Sequence, residues 1–176
     1  MRMRLFAPIA AAAIIVAACS GTTATAPTAS PSPTASPSPT PSPTPTNVFK
    51  AELKSANENP PIADAEASCT GTATVTFTGT STKFDVAISG CPATTAINIG
   101  HIHEGATGVN GPVKIDSTLK AGDITLTGGG VTFTRTNANS DPAVIAAVMA
   151  NPAGYYVNFH STVHGGGVIR GQLTKG

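Results

Sequence analysis

The sequence predicts an all-β protein: an antiparallel, Greek-key-like β-sandwich or barrel with one short helix, preceded by a disordered linker rich in Pro, Ser and Thr. A length of 176 residues accommodates about one domain. With 18 Gly, 15 Pro and only 11% charged residues, the composition does not suit a helical bundle. Short runs in which polar and apolar residues alternate begin near Asn47 and continue to the end of the chain.

Nine short segments carry this strand pattern, and Gly, Pro and Asn residues separate them. Many short strands at such spacing are typical of a sandwich or a barrel. The predicted strands are Val48 to Ala56, Thr70 to Thr78, Lys83 to Ser89, Ala96 to His103, Val113 to Ile115, Asp123 to Leu126, Val131 to Arg135, Tyr155 to His160 and Val168 to Leu173.

One helix is predicted, from Pro142 to Ala150. Ser140 or Asp141 can cap its first turn, a proline at the first position suits a helix start, and Asn151-Pro152 ends it. Its apolar residues fall on one face, so we expect it to cover one end of the β domain.

The N-terminus reads as a secretory signal peptide over residues 1–18, with a basic start and an apolar run too short to span a bilayer. The residues from Val16 to Cys19 resemble a bacterial lipobox, which predicts lipidation of Cys19. We therefore expect that the protein is exported and anchored to the bacterial membrane by the lipid on Cys19. The protein would then face the periplasm or the exterior. An ordinary signal peptide with an incidental cysteine is the alternative.

Residues 19–46 are predicted to be the lipidated N-terminus followed by a linker, and the domain is predicted over residues 47–176. From Ser20 to Thr46 the chain contains only Ser, Thr, Ala, Pro and Gly. Such a segment buries too little apolar surface to fold, and its prolines favour an extended polyproline II spacer.

Charge excludes nucleic acid as a partner. The whole chain has 10 basic and 9 acidic residues, and removal of Arg2 and Arg4 with the signal peptide leaves 8 basic residues. Nucleic-acid readers carry a basic patch or stripe, and this balance provides none.

Cys69 and Cys91 remain once Cys19 is assigned to lipid. An even remaining number in an oxidising compartment favours a disulfide between them. Two buried thiols or a metal site using both cysteines are the alternatives, and their spacing matches no common zinc motif.

The four histidines form two groups, His101 with His103 and His160 with His164. Residues two apart on a strand point to the same face, so the first pair presents two neighbouring imidazoles. A third ligand from His160, and a fourth from His164, would complete a metal site. Imidazole ligands without carboxylate or thiolate suit copper or zinc, and a tetragonal all-nitrogen geometry favours one Cu(II) ion. Solvated strand histidines, or core histidines bonded to the backbone, are the alternative.

Six motifs, in the same order, resemble the CHRD domain, which is known from chordin and from many exported bacterial proteins. The resemblance covers nearly all of residues 47–176 and implies an antiparallel β-barrel or sandwich. His164 and Val168 depart from the usual pattern. The motifs begin at Glu58 (ENPP), Gly71 (GTA), His101 (HIHEG), Asn110 (NGPV), Gly154 (GYYVNFHS) and Gly167 (GVIRGQL).

A weaker likeness connects the histidines to the copper superoxide dismutases. It implies that His101, His103 and His160 are copper ligands and that Arg170, the one residue to which we assign a catalytic role, guides the small anion superoxide. No histidine lies between His103 and His160 to form a zinc loop, so the likeness implies a copper-only type with no zinc. Copper storage or delivery without catalysis, and an adhesion or interaction module without metal, are the other hypotheses. Arg170 alternatively pairs with a surface carboxylate.

Overall fold

The structure, a computed structural model, describes residues 47–176. The predicted signal peptide, the lipidation of Cys19 and the linker lie outside the described residues. In the part of the chain that is described, no helix has the length and apolar character needed to cross a membrane.

Nine β-strands form one continuous sheet, and all of the paired strands are antiparallel. The order across the sheet is β5-β4-β7-β8-β1-β2-β3-β6, and β9 pairs with β1. The strands are β1 (Val48–Lys54), β2 (Thr70–Thr78), β3 (Ser81–Ser89), β4 (Ile97–Glu104), β5 (Val113–Asp116), β6 (Val131–Asn137), β7 (Tyr155–Ser161), β8 (Ile169–Gln172) and β9 (Thr174–Lys175).

The sheet curves until it is nearly closed. Its two edge strands, β5 and β6, are joined by a side chain, because Asn137 Nδ2 donates to the carbonyl oxygen of Asp116 at 3.0 Å. The predicted antiparallel all-β class is confirmed, and its form is a barrel-like sheet.

Alternation along the strands builds the core inside this sheet. In β2, Ala73, Val75 and Phe77 are buried while threonines fill the intervening positions. Partners on the neighbouring strands bury the same face. The largest fully buried side chains are Phe49, Phe77, Phe84, Phe159, Leu53, Ile97, Ile102, Ile169, Leu173, Val75, Val86 and Val148.

The helix α1 spans Pro142–Ala150, as predicted. Asp141 caps it, since its carboxylate accepts a hydrogen bond from the amide of Ala143 at 2.8 Å. Ile145 and Val148 are buried against the core. The helix therefore has the packing role that its apolar face indicated.

The predicted strand from Asp123 to Leu126 is wrong, and this segment lies in a loop. Asp123 closes a turn, because its amide donates to the carbonyl of Lys120 and its carboxylate accepts from the amide of Lys120. Thr127 and Gly130 then form an isolated bridge around a second turn. The residues between these two turns have alternating character but no strand beside them to pair with.

Cys69 and Cys91 form the predicted disulfide. Cys69 directly precedes β2 and Cys91 follows β3, so the bond closes the open end of the β2–β3 hairpin. Both cysteines are buried in the core.

Strand β7 is buried on both faces, which is unusual for an antiparallel sheet of this kind. One face contacts the core, and two loops, residues 55–69 and 105–112, cover the other. The loops are joined by Asn59 Nδ2, which donates to the carbonyl of Gly108, and by Asn110 Nδ2, which donates to the carbonyl of Asn59, both at 2.7 Å. This covered outer face holds the polar side chains described next.

Candidate metal centre

Three of the four histidines meet on the covered outer face. His101 and His103 lie two residues apart on β4, and His160 lies on the neighbouring strand β7, opposite Ile99. One ring nitrogen from each of the three lies within 4.8 Å of the others. The β4–β7 pairing, on which a three-imidazole site depends, is present.

Hydrogen bonds on the far side of each ring determine which nitrogen is free. His103 Nδ1 lies 2.9 Å from the carbonyl oxygen of Gly111, and His160 Nδ1 lies 3.0 Å from that of Gly165. A carbonyl accepts, so in both rings Nδ1 carries the proton and Nε2 offers a lone pair. Metal-ligating histidines are usually oriented by such outer bonds.

His101 is turned the other way. Its Nδ1 lies 3.2 Å from Nε2 of His160, and its Nε2 lies 3.8 Å from a carboxylate oxygen of Asp116. With its proton on Nε2, near that carboxylate, Nδ1 faces the other two rings. The donor set would then be Nδ1 of His101 and Nε2 of His103 and His160.

Burial makes these rings good neutral ligands. His103 is 8% exposed and His160 is 5% exposed. Loss of solvation lowers the pKa of all three imidazoles, and that of His160 falls to about 4. At neutral pH the rings are therefore uncharged, which is the form that binds a metal.

One ring nitrogen lacks any partner. His103 Nε2 is fully buried and makes no hydrogen bond within residues 47–176. A buried nitrogen without a partner is costly, and a metal ion bound by the three rings would use its lone pair. The three rings therefore fit a metal that prefers imidazole, such as copper or zinc.

His164, the proposed fourth ligand, is engaged elsewhere. Its Nε2 lies 2.9 Å from a carboxylate oxygen of Asp64 and 3.7 Å from one of Glu66. Its own carbonyl accepts from the amides of Ser161 and Gly167 and so shapes the turn after β7. The grouping of ring nitrogens includes His101, His103 and His160, and a ligand role for His164 remains a prediction.

Arg170 is buried beside the three histidines, with only 3% exposed. Its Nε donates to the carbonyl of Asn57 and its Nη1 donates to Oδ1 of Asn110 at 2.8 Å. Its Nε also lies 3.7 Å from a carboxylate oxygen of Glu58. The guanidinium is thus held by the two covering loops, and its role in guiding superoxide remains a prediction.

Tyr156 separates Arg170 from the histidines. Its ring stacks on His103 with centroids 5.0 Å apart and planes inclined by 7°. The Arg170 guanidinium carbon lies 4.9 Å from the centre of the same tyrosine ring. The positive charge is therefore close to the candidate metal centre but not in contact with it.

Sequence reasoning assigned no site role to the neutral and acidic neighbours of the histidines and Arg170, namely Tyr156, Asn158 and Glu58. A signal for two of them exists, because Tyr156, Asn158 and His160 alternate with the core residues of β7 and so share its outer face. Glu58 reaches this face from a loop far from β7 in the sequence, so strand periodicity could not indicate its position.

Together these features define a single barrel-like β domain with three facing imidazoles beneath two loops. The family model of the CHRD domain matches residues 49–173. The chain belongs to the CHRD domain family, as the sequence motifs predicted. No match was found among curated proteins or among solved structures.

Proposed function

We propose that the domain binds one copper ion through His101, His103 and His160. The observation that carries this proposal is the approach of three ring nitrogens to within 4.8 Å of one another on a buried face. Three neutral nitrogen ligands without a carboxylate or thiolate suit copper. Zinc accepts the same ligands, so the choice of copper rests on ligand chemistry and on the likeness to copper-only enzymes.

We propose further that the copper-loaded domain disproportionates superoxide. Copper held by His101, His103 and His160 would supply one-electron chemistry, by which one superoxide ion is oxidised and a second is reduced. Two superoxide ions and two protons then yield one O2 and one H2O2. The residues of the chain hold the ring tautomers through Gly111 and Gly165 and place the positive charge of Arg170 behind Tyr156. A buried charge of this sign favours an anion at the centre.

Direct decay of superoxide, followed by its ultraviolet absorption after pulse generation, tests the catalytic proposal. The copper-loaded protein should accelerate the decay, and copper-loaded Arg170→Gln should do so less. Copper-loaded protein that leaves the decay unchanged would contradict catalysis while leaving copper binding intact.

Copper storage or delivery without catalysis is the second candidate function, and the burial of Arg170 favours it. A guanidinium that is 3% exposed and bonded to both covering loops offers little surface to an incoming anion. Rapid transfer of copper to an added chelator, with no superoxide turnover, would support this function over the catalytic one.

We propose that the protein works outside the cytoplasm, attached to the bacterial membrane by lipid on Cys19. The Cys69–Cys91 disulfide supports export, because disulfides persist in oxidising compartments. Labelling of producing cells with a radioactive fatty acid tests the anchor. The wild-type protein should carry label and Cys19→Ser should not, and equal labelling would contradict the assignment.

A further inference from the structure

A row of polar residues crosses the covered face beside the histidines. Arg170 on β8 pairs in register with Asn158 on β7, and Asn158 pairs with His101 on β4. Glu58, from the loop of residues 55–69, reaches this row, with one carboxylate oxygen 3.7 Å from Arg170 Nε. Glu58 therefore connects that loop to the row of polar residues that ends at His101.

Glu58 and Asn158 lie against the same glycine. A Cβ atom at Gly167 would come within 2.5 Å of the Asn158 amide nitrogen and 2.8 Å of a Glu58 carboxylate oxygen. The carboxyl and the amide are therefore neighbours, and any larger residue at position 167 would push them apart.

The side chains of Glu58, Asn158 and Arg170 are all more than nine-tenths buried. Each of the three has a polar atom without a hydrogen-bond partner within residues 47–176. Glu58 is 6%, Asn158 is 2% and Arg170 is 3% exposed. Glu58 Oε1, Asn158 Oδ1 and Arg170 Nη2 make no hydrogen bond within residues 47–176. Native structures rarely leave buried polar atoms unpaired without a functional reason. Of these three side chains, the Glu58 carboxyl is the one that can take up and release a proton.

The charge of Arg170 acts on the histidines. It lowers the pKa of His103, although burial is the larger cause of that shift. Glu58 is the acidic residue within ion-pair distance of Arg170 in the described chain. When Glu58 is ionised it offsets the guanidinium charge, and when it is protonated the centre experiences that charge in full.

The Glu58 carboxyl gains and loses its proton near neutral pH, so its charge changes under ordinary conditions. Burial raises its pKa to about 7, and Arg170 opposes that rise. Two other ionisable groups lie close by. His164 lines the same cleft and is hydrogen-bonded to Asp64, and Lys54 pairs in register with Arg170 on β1.

We propose that Glu58 is the proton-exchanging group of the three-histidine centre, releasing its proton when a divalent cation binds there and regaining it when the cation leaves. This rests on the metal binding proposed above. A cleft of about 190 Å³, bounded by Glu58, Asn59, Ile62, His164 and Gly166, connects the carboxyl with solvent and gives the proton a route. Glu58 is thus a charge-balancing residue that acts on the histidines through Arg170, with which it lies within ion-pair distance.

Proton release on copper binding tests this proposal without any redox readout. Half an equivalent of Cu²⁺ is added to the unbuffered, purified full chain, and the hydroxide needed to hold the pH is recorded. A group with a pKa of about 7 is about half protonated at pH 7. Wild type should therefore release about half a proton more per bound copper than Glu58→Gln at pH 7. The difference should approach one proton at pH 6 and disappear by about pH 9.

Glu52→Gln is the matched control, because Glu52 is an exposed carboxyl on β1 away from the histidines. It should release as many protons as wild type. If copper binds to both proteins and they release equal numbers of protons at all three pH values, the proposed role of Glu58 would be overturned. The copper-binding proposal would remain. Failure of wild type to bind copper, measured by equilibrium dialysis, would overturn the proposed function as well.

An infrared difference spectrum of the wild type keeps the test independent of whether Glu58→Gln folds. Addition of Cu²⁺ at pH 6 should remove a protonated-carboxyl band and add a carboxylate band. A spectrum with copper bound and no carboxyl change would contradict the proposal.

Discussion

The Nδ1 atom of His101 lies 3.2 Å from the Nε2 atom of His160, although the two residues are 59 positions apart in the chain. The antiparallel pairing of β4 with β7 creates this approach. The outer bonds of the rings orient their free nitrogens toward one another, since His160 Nδ1 is engaged with Gly165.

Replacement of one of the three facing histidines should weaken copper binding far more than replacement of His164. His160→Gln removes one of the three facing nitrogens. Loss of a residue that only orients a ligand typically lowers metal affinity by roughly 10–100-fold, and we expect the copper affinity of His160→Gln to fall by more than that. His164→Gln should stay within that range, because His164 contacts Asp64. Competition with a chelator of known affinity measures both. A larger loss in His164→Gln would make His164 a ligand.

Stability without metal should depend on pH through His160. Burial lowers the pKa of folded His160 to about 4 from 6.5, so the unfolded chain binds the additional proton between these values. Stability from this residue is complete above pH 6.5 and is lost as the pH falls toward 4. The free energy of unfolding of wild type, relative to His160→Gln, should fall by roughly 2–3 kcal/mol from pH 7 to pH 4.

The comparison with His160→Gln is necessary because Glu58 acts in the opposite direction. Its raised pKa of about 7 makes the folded state bind the additional proton, so its share of stability is lost as the pH rises. Urea titrations at each pH measure both proteins. A constant difference between them would show that His160 does not titrate as its burial requires.

Strand alternation and helix signals were sufficient to predict most of this fold. β2 and α1 have the predicted bounds, because alternating threonines and a proline after Asp141 are strong local signals. Asp123 to Leu126 has similar alternation but no neighbouring strand, and a local pattern contains no information about a missing partner. The two-residue strand β9 is too short to show any pattern.

The candidate site was predicted where its residues follow strand periodicity. His101 and His103 are on one face because they are two apart, and His160 joins them through the β4–β7 pairing, which the sequence left open. His164 lies in a turn, where periodicity does not operate. Glu58 reaches the site through a loop whose course depends on tertiary contacts such as that between Asn59 and Gly108.

Gly100→Ala should destabilise the protein. A Cβ at this position would lie 2.3 Å from a ring carbon of Phe159, which is fully buried. Such overpacking typically costs about 1–3 kcal/mol, and the displaced strand would also move His101. Gly166→Ala is the control, since a Cβ there meets nothing within 4 Å. Equal urea midpoints for the two variants would contradict this packing.

Loss of the disulfide should lower stability through the unfolded state. The bond spans 22 residues, and a loop of this length corresponds to about 3 kcal/mol. Cys69→Ser with Cys91→Ser should unfold at correspondingly lower denaturant, and wild type treated with a reductant should behave similarly. A double variant as stable as the oxidised wild type would show that the bond adds nothing to this fold.

Titration of the purified protein with Cu²⁺, followed by electron paramagnetic resonance, tests the central claim most directly. We predict saturation at one copper per chain, with hyperfine splitting from nitrogen ligands, and loss of this signal in His160→Ala. A spectrum identical to that of free Cu²⁺, or one unchanged in His160→Ala, would contradict the three-histidine centre and leave a β-barrel interaction module whose histidines are structural.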